Sequence, residues 1–168
     1  MKLEVGDVVV YAPLGVGRVA IREKRVIAGI EREVVVLDLA NDLSVTLLLE
    51  NAHELLRPVL GEAGLRRVQE KLREDGVWSA EVWSTRLKDA EAKLRRGDPL
   101  ELAEILRDGA WRERTLTAKG TPTQLSTSEK GLCRKARELL SGEIGFARGL
   151  DPTVAEAWID EQLALGRA

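Results

Sequence analysis

Trp83-Ser-Thr-Arg86-Leu-Lys88 is the stretch of this chain best equipped for chemistry, and its chemistry is that of contact rather than bond breaking. An exposed indole can stack on an unstacked base, and cations nearby can neutralise phosphates. The ordinary use of such a tryptophan is core packing, because Trp83, Leu87, Ala90 and Leu94 share one helical face. Its place within the first turns of that helix lets the side chain project past a bundle. A second basic run, Lys130 with Arg134, Lys135 and Arg137, begins near a helix N-terminus that can itself hold a phosphate. A third cluster, Arg22, Lys24 and Arg25, adjoins apolar Val26 and Ile27. It reads either as a solvated strand edge or as a surface that docks a protein, where arginine gives bidentate pairing and open strand backbone extends a partner's sheet.

Residues for covalent or acid–base catalysis are sparse. His53 is the only histidine and Cys133 the only cysteine, and no local motif surrounds either. One cysteine forms neither an internal disulfide nor a zinc or redox pair. Gly15-x-Gly17 lacks the Gly-Lys-Ser/Thr or helix start that a phosphate cradle needs, so it reads as a turn. A non-enzymatic protein without cofactor or metal is the expectation.

The elements that must position these groups change character near Pro58. Before it, Asp7-Val-Val-Val-Tyr11, Arg18-Val-Ala-Ile-Arg22, Arg32 to Leu39 and Ser44 to Leu49 are β-branched runs separated by glycine or Asn-Asp turns. They predict about five short strands in a small antiparallel barrel. Beyond it, Leu65, Val68 and Leu72 mark a first helix. Ser79 is a candidate cap for the next, which Gly97 stops, and Asp98-Pro99 restarts a helix that Gly109 interrupts or ends. Thr115 to Gln124 reads as a loop. Ser126-Thr-Ser-Glu129 is a capping box, and Asp151-Pro152 opens the last helix with Val154, Ala157, Trp158 and Ile159 turned inward. The fold class is α+β in two domains: a small β-barrel over residues 1–56 and a bundle of about five helices over 57–168.

Composition narrows the function. At 168 residues and 44% hydrophobic, the chain can fill a modest core in each module. No apolar run approaches a bilayer span and the start lacks a signal-peptide stretch, so a cytoplasmic protein with no membrane partner is expected. A net charge of −2 argues against coating nucleic acid by bulk charge, though a locally basic surface fits.

Val5-Gly-Asp-x-Val-Val-Tyr11, Gly15, Arg25-x-Ile-x-Gly29, Glu50-Asn-Ala52, Trp83-Ser84, Gly97-Asp98, Ser126-x-x-Glu-Lys130, Lys135-Ala-Arg137 and Gly142-Glu143 run collinearly through the chain. In that order and spacing they resemble the CarD family of bacterial transcription regulators, also called CdnL. The resemblance implies a Tudor-like N-terminal domain that binds the β subunit of RNA polymerase. It also implies a helical domain that contacts promoter DNA at the upstream edge of the transcription bubble. The tryptophan at the position of Trp83 is then a minor-groove wedge that stabilises the open complex. Arg25 and Ile27 fall at the polymerase-contacting edge, with Val45, Thr46 and Leu47 on the accompanying strand, and Thr46 stands where relatives carry a basic residue. Arg86, Lys88 and Lys130 fall at or beside DNA-facing positions, while Thr85 replaces an arginine common in relatives. The expected protein is a monomer, held at the nucleoid through polymerase. The competing reading is an adapter whose barrel docks polymerase and whose bundle recruits another protein, since transcription-repair coupling factors share the N-terminal domain.

Overall fold

A computed structural model of the chain describes residues 1–77, 81–120 and 125–166. The chain divides into two compact units, Met1–Val59 and Leu60–Ala168. Ser79, the expected helix cap, lies outside the described residues, as does the 121–124 part of the expected loop.

The first unit holds β1 (Val8–Tyr11), β2 (Gly15–Ile27), β3 (Ile30–Leu39), β4 (Ser44–Leu48), the short helix α1 (Leu49–Leu55) and β5 (Leu56–Pro58). All pairings are antiparallel and the strand order is β4-β3-β2-β1-β5, so the expected barrel is a curled five-stranded sheet with β4 and β5 as its edges. Pro58 ends the last strand, opposite Val9, where its missing N–H costs least. Gly15 turns β1 into β2 at φ 96°, and a Cβ on Gly17 would lie 2.7 Å from a Leu39 methyl, so this pair serves the turn and strand packing. A register shift between Val19 and Ile21 bends β2. Ala28 and Gly29 make a two-residue hairpin turn with positive φ at both positions, the geometry that matches strand twist. Leu3, Val9, Val19, Val35, Leu37, Ala52 and Leu56 form the core, and α1 packs on β3, β4 and β5.

Among the described residues there are six helices rather than five. The additional one is α1, which brings Ala52 into the sheet core and leaves His53 exposed. The second unit contains the other five: α2 (Glu62–Arg73), α3 (Trp83–Arg96), α4 (Pro99–Ala118), α5 (Thr127–Arg148) and α6 (Pro152–Leu165). Leu65, Val68, Leu102, Leu106, Ala136, Leu140, Ile144 and Ile159 interlock in one core. Asp98 and Asp151 cap α4 and α6 just ahead of a proline, and Gly97 and Gly149 end α3 and α5 in the left-handed region.

Three expectations about the helices are corrected. Gly109 neither ends nor breaks α4; its missing side chain admits Cys133 Sγ, which would stand 2.7 Å from a Cβ there. Helix α4 continues through Thr115 to Ala118, and Thr115 and Thr117 are accommodated there with their hydroxyls donating to the carbonyls of Trp111 and Glu113 rather than competing for the helix amides. On α6 the inward face is Ala155, Ile159, Gln162 and Leu163, whereas Val154 is 51% exposed and Ala157 faces solvent.

Candidate functional site

Trp83 is the first residue of α3 and is 46% exposed, so it is not a core tryptophan. Val82 precedes it as an N-cap without a capping side chain. The indole is nonetheless held: its Nε1–H donates to Ser126 Oγ at 3.2 Å. Ser126 is the N-cap of α5, and the same oxygen accepts the Glu129 amide at 3.2 Å while Glu129 Oε2 accepts the Ser126 amide at 3.0 Å. The starts of α3 and α5 therefore meet at one hydroxyl, whose two lone pairs are both used.

Arg86, one turn after Trp83, points into this junction rather than away from it. Its side chain is 22% exposed; one terminal nitrogen donates to Glu81 O at 2.6 Å and the other pairs with Glu129 Oε1 at 3.5 Å. Burial by itself raises the Glu129 carboxyl, but the Ser126 amide and hydroxyl, with Arg86 and Arg112, outweigh it and hold it below its ordinary value. Arg112 is shifted down by burial and by the Arg86 charge. Lys88 and Lys130 are exposed. Lys130 opens α5 one turn after Ser126, its amide donating to Ser126 O, so it shares that end of the helix with the indole. Lys88 is about 140° around α3 from Trp83 at ~100° per residue. Of the second basic run, Arg137 is paired with Asp160 at 2.6 Å and Lys135 lies 4.0 Å from Glu138.

No residue of α3 is fully buried. Ala90 and Leu94 pack partly against the core, and ion pairs add to the hydrogen bond that Trp83 makes with Ser126. Lys93 lies 3.1 Å from Glu104 of α4 and 3.2 Å from Asp89, and Arg96 forks onto Glu101. Burial works against the Lys93 charge, yet Glu104 and Asp89 outweigh it and hold the ammonium above its ordinary value.

In the first unit, β4 is an edge strand, with Val45, Thr46 and Leu47 opposite Leu37, Val36 and Val35. Val45 and Leu47 are half-buried and Thr46 is exposed, the alternation expected of a strand with one face on a core. Arg25 and Ile27 belong to the far end of the β2–β3 hairpin, where every residue from Ile21 to Glu31 is exposed. Val36 stands opposite Ile21 and Arg32 opposite Arg25, so these rows are four residues apart on β3, roughly 13 Å along the strand. The two expected groups thus sit on one sheet as separate patches. Arg25 is joined to Glu23, and Arg32 to Glu50 of α1. Val26, Ile27 and Ile30 add exposed apolar surface at the tip.

Ser126 and Glu129 are the residues of this site that the sequence marks only as a helix cap; nothing local connects them to Trp83, forty-three residues earlier. Among the described residues no His, Cys, Asp and Glu cluster could hold a metal ion, and no helix is long and apolar enough to cross a membrane.

An antiparallel sheet unit followed by a helical unit is matched by two family models, and these define the class: an RNA-polymerase-interacting transcription factor. Residues 3–60 match the CarD-like/TRCF RID domain and residues 67–160 match the CarD C-terminal domain. The chain belongs to the CarD family, and its role is in transcription regulation through RNA polymerase.

Proposed function

We propose that the chain stabilises the promoter open complex, its sheet docked on the β subunit of RNA polymerase and its helical unit set against DNA at the upstream edge of the bubble. The observation that carries this reading is Trp83: a half-exposed indole at the head of a helix, oriented by a hydrogen bond rather than by a core. A disrupted base step offers a π-face and a widened groove, and an aromatic side chain filling it opposes reannealing. Lys88 and Lys130 supply phosphate contacts that position without reading sequence. The start of α3, whose N-cap Val82 offers no capping side chain, adds the positive end of a helix dipole at Trp83.

On the polymerase side, Arg25 and Ile27 at the hairpin end and Val45, Thr46 and Leu47 on the β4 edge form the proposed contact. Strand backbone extends a partner sheet while the arginine meets a carboxylate. Thr46 in place of a basic residue makes the β4 patch the less charged of the two. The protein acts as a monomer with no reaction of its own, and docking on polymerase supplies the local concentration that weak DNA contacts require.

The deciding experiment is a gel shift and lifetime measurement on fork-junction promoter DNA with and without polymerase. Protein-dependent lengthening of the open complex, lost in Trp83→Ala, is expected. Polymerase binding with no effect of either the protein or the variant on the DNA would instead favour an adapter whose helical unit binds another protein.

A further inference from the structure

We propose that Ser126 and Arg86 are positioning residues for the Trp83 wedge, and that Arg86 acts through this junction rather than by touching phosphate. The inference rests on the wedge reading and assigns it a supporting structure. The indole begins at the first position of a helix that buries none of its own residues, so α3 alone fixes its direction poorly. What fixes it is Ser126 Oγ, 3.2 Å from Nε1, and that oxygen is itself held by the capping box of α5. Arg86 closes the circuit by tying Glu81 O, two residues before the tryptophan, to the Glu129 carboxylate of the same box. With both terminal nitrogens turned to Glu81 and Glu129, Nε buried inside the protein and the side chain only 22% exposed, Arg86 presents little of its guanidinium to a phosphate oxygen. A wedge pays off only if its ring enters already oriented, since orientation lost in the free protein has to be recovered on binding.

Two substitutions at Ser126 separate this role from helix capping. Ser126→Gly leaves a tolerable N-cap but removes the indole acceptor, whereas Ser126→Thr keeps both. The first readout needs no polymerase: the indole N–H resonance of Trp83 in labelled full-length protein, assigned by Trp83→Phe. In Ser126→Gly it is expected to shift and exchange faster with solvent, and open-complex lifetime to fall about fivefold, equivalent to about 1 kcal/mol. Ser126→Thr is expected to match the parent in both. An unmoved resonance in Ser126→Gly, or a moved resonance with unchanged lifetime, overturns the positioning role. Unchanged lifetime in Trp83→Ala sinks the wedge reading itself, a distinguishable failure.

For Arg86, the salt dependence of DNA binding by the polymerase complex separates the two roles. Arg86→Gln is expected to shorten the lifetime with the slope of log affinity against log salt unaltered. A slope reduced by about one marks a lost phosphate contact and overturns the assignment. Lys130→Gln serves as the positive control for such a reduction.

Discussion

Arg25 stands directly opposite Arg32 across the β2–β3 ladder, Arg25 exposed and Arg32 half-buried. Like charges in that position repel. Glu23 and Glu50 draw them apart, each pairing with one arginine. Arg22 and Lys24 are matched in the same way, to Glu33 and Glu31, so a bound acidic partner would compete with Glu23 for Arg25.

That arrangement makes Arg25→Glu an unusually clean test. The new carboxylate gains an opposite charge across the ladder in Arg32 while losing its favourable neighbour in Glu23, so folding stability should stay within about 0.5 kcal/mol. Polymerase affinity, measured by titration against the isolated β subunit or in a pull-down, should fall on the order of tenfold. Unchanged affinity removes Arg25 from the interface.

Trp83→Ala should cost little stability. A buried tryptophan replaced by alanine costs about 3–5 kcal/mol, but this one is half-exposed, so a loss of about 1 kcal/mol is expected in urea unfolding. A loss in the buried range would return Trp83 to the core and remove the physical basis of the wedge.

The corrected face of α6 and the centre of the helical core can be weighed against each other. Leu140 is fully buried among α2, α4 and α6 residues, and Leu140→Ala should cost about 2–5 kcal/mol. Val154→Ala, on the exposed side of α6, should stay within about 0.5 kcal/mol. Equal losses in chemical denaturation would contradict this packing.

Glu129 gives the helical unit an acid-sensitive point. Its folded-state carboxyl lies below the ordinary value of 4.5, so ionisation favours the folded protein. That contribution is complete above the unfolded value and is withdrawn as pH falls through the folded one. The stability gap between the parent and Glu129→Gln should therefore be constant at neutral pH and narrow below about 4.5. A gap that widens on acidification would give the wrong sign.

Cys133 is half-buried between α4 and α5, and burial pushes its thiol up to about 11 from 9.0. Alkylation at pH 8 should accordingly be about ten to a hundred times slower in the native protein than in the unfolded chain. Equal rates would mean that the thiol samples solvent freely.

Elements whose signals are local were legible in the sequence. Ser126 with Glu129, Asp98-Pro99 and Asp151-Pro152 mark helix starts because a cap needs only neighbours three residues away. The strands announced themselves through β-branched runs. Helix α1 did not, since Leu47-Leu-Leu49 continues the strand pattern and only the sheet's need for a lid bends the chain at Leu49. The α6 face was misjudged because Val154, Ala155, Ala157, Trp158 and Ile159 crowd several sides of one helix, and packing alone selects among them. At the site, the family pattern supplied Trp83 and Lys130, while the bond from Trp83 to Ser126 joins two helix starts that no periodicity connects.

Helix α3, which buries no residue and leans on ion pairs such as Lys93 with Glu104, carries a further consequence. Its amides report a different stability from those of α4 and α5: they should exchange through a sub-global opening well below the free energy of complete unfolding. Raising ionic strength should ease that opening through the more exposed pair of Arg96 with Glu101, and less through Lys93 and Glu104, which are partly buried and screened less. The tryptophan therefore rides on a helix less protected than its neighbours α4 and α5, and DNA that captures it should be detected as slowed exchange along α3.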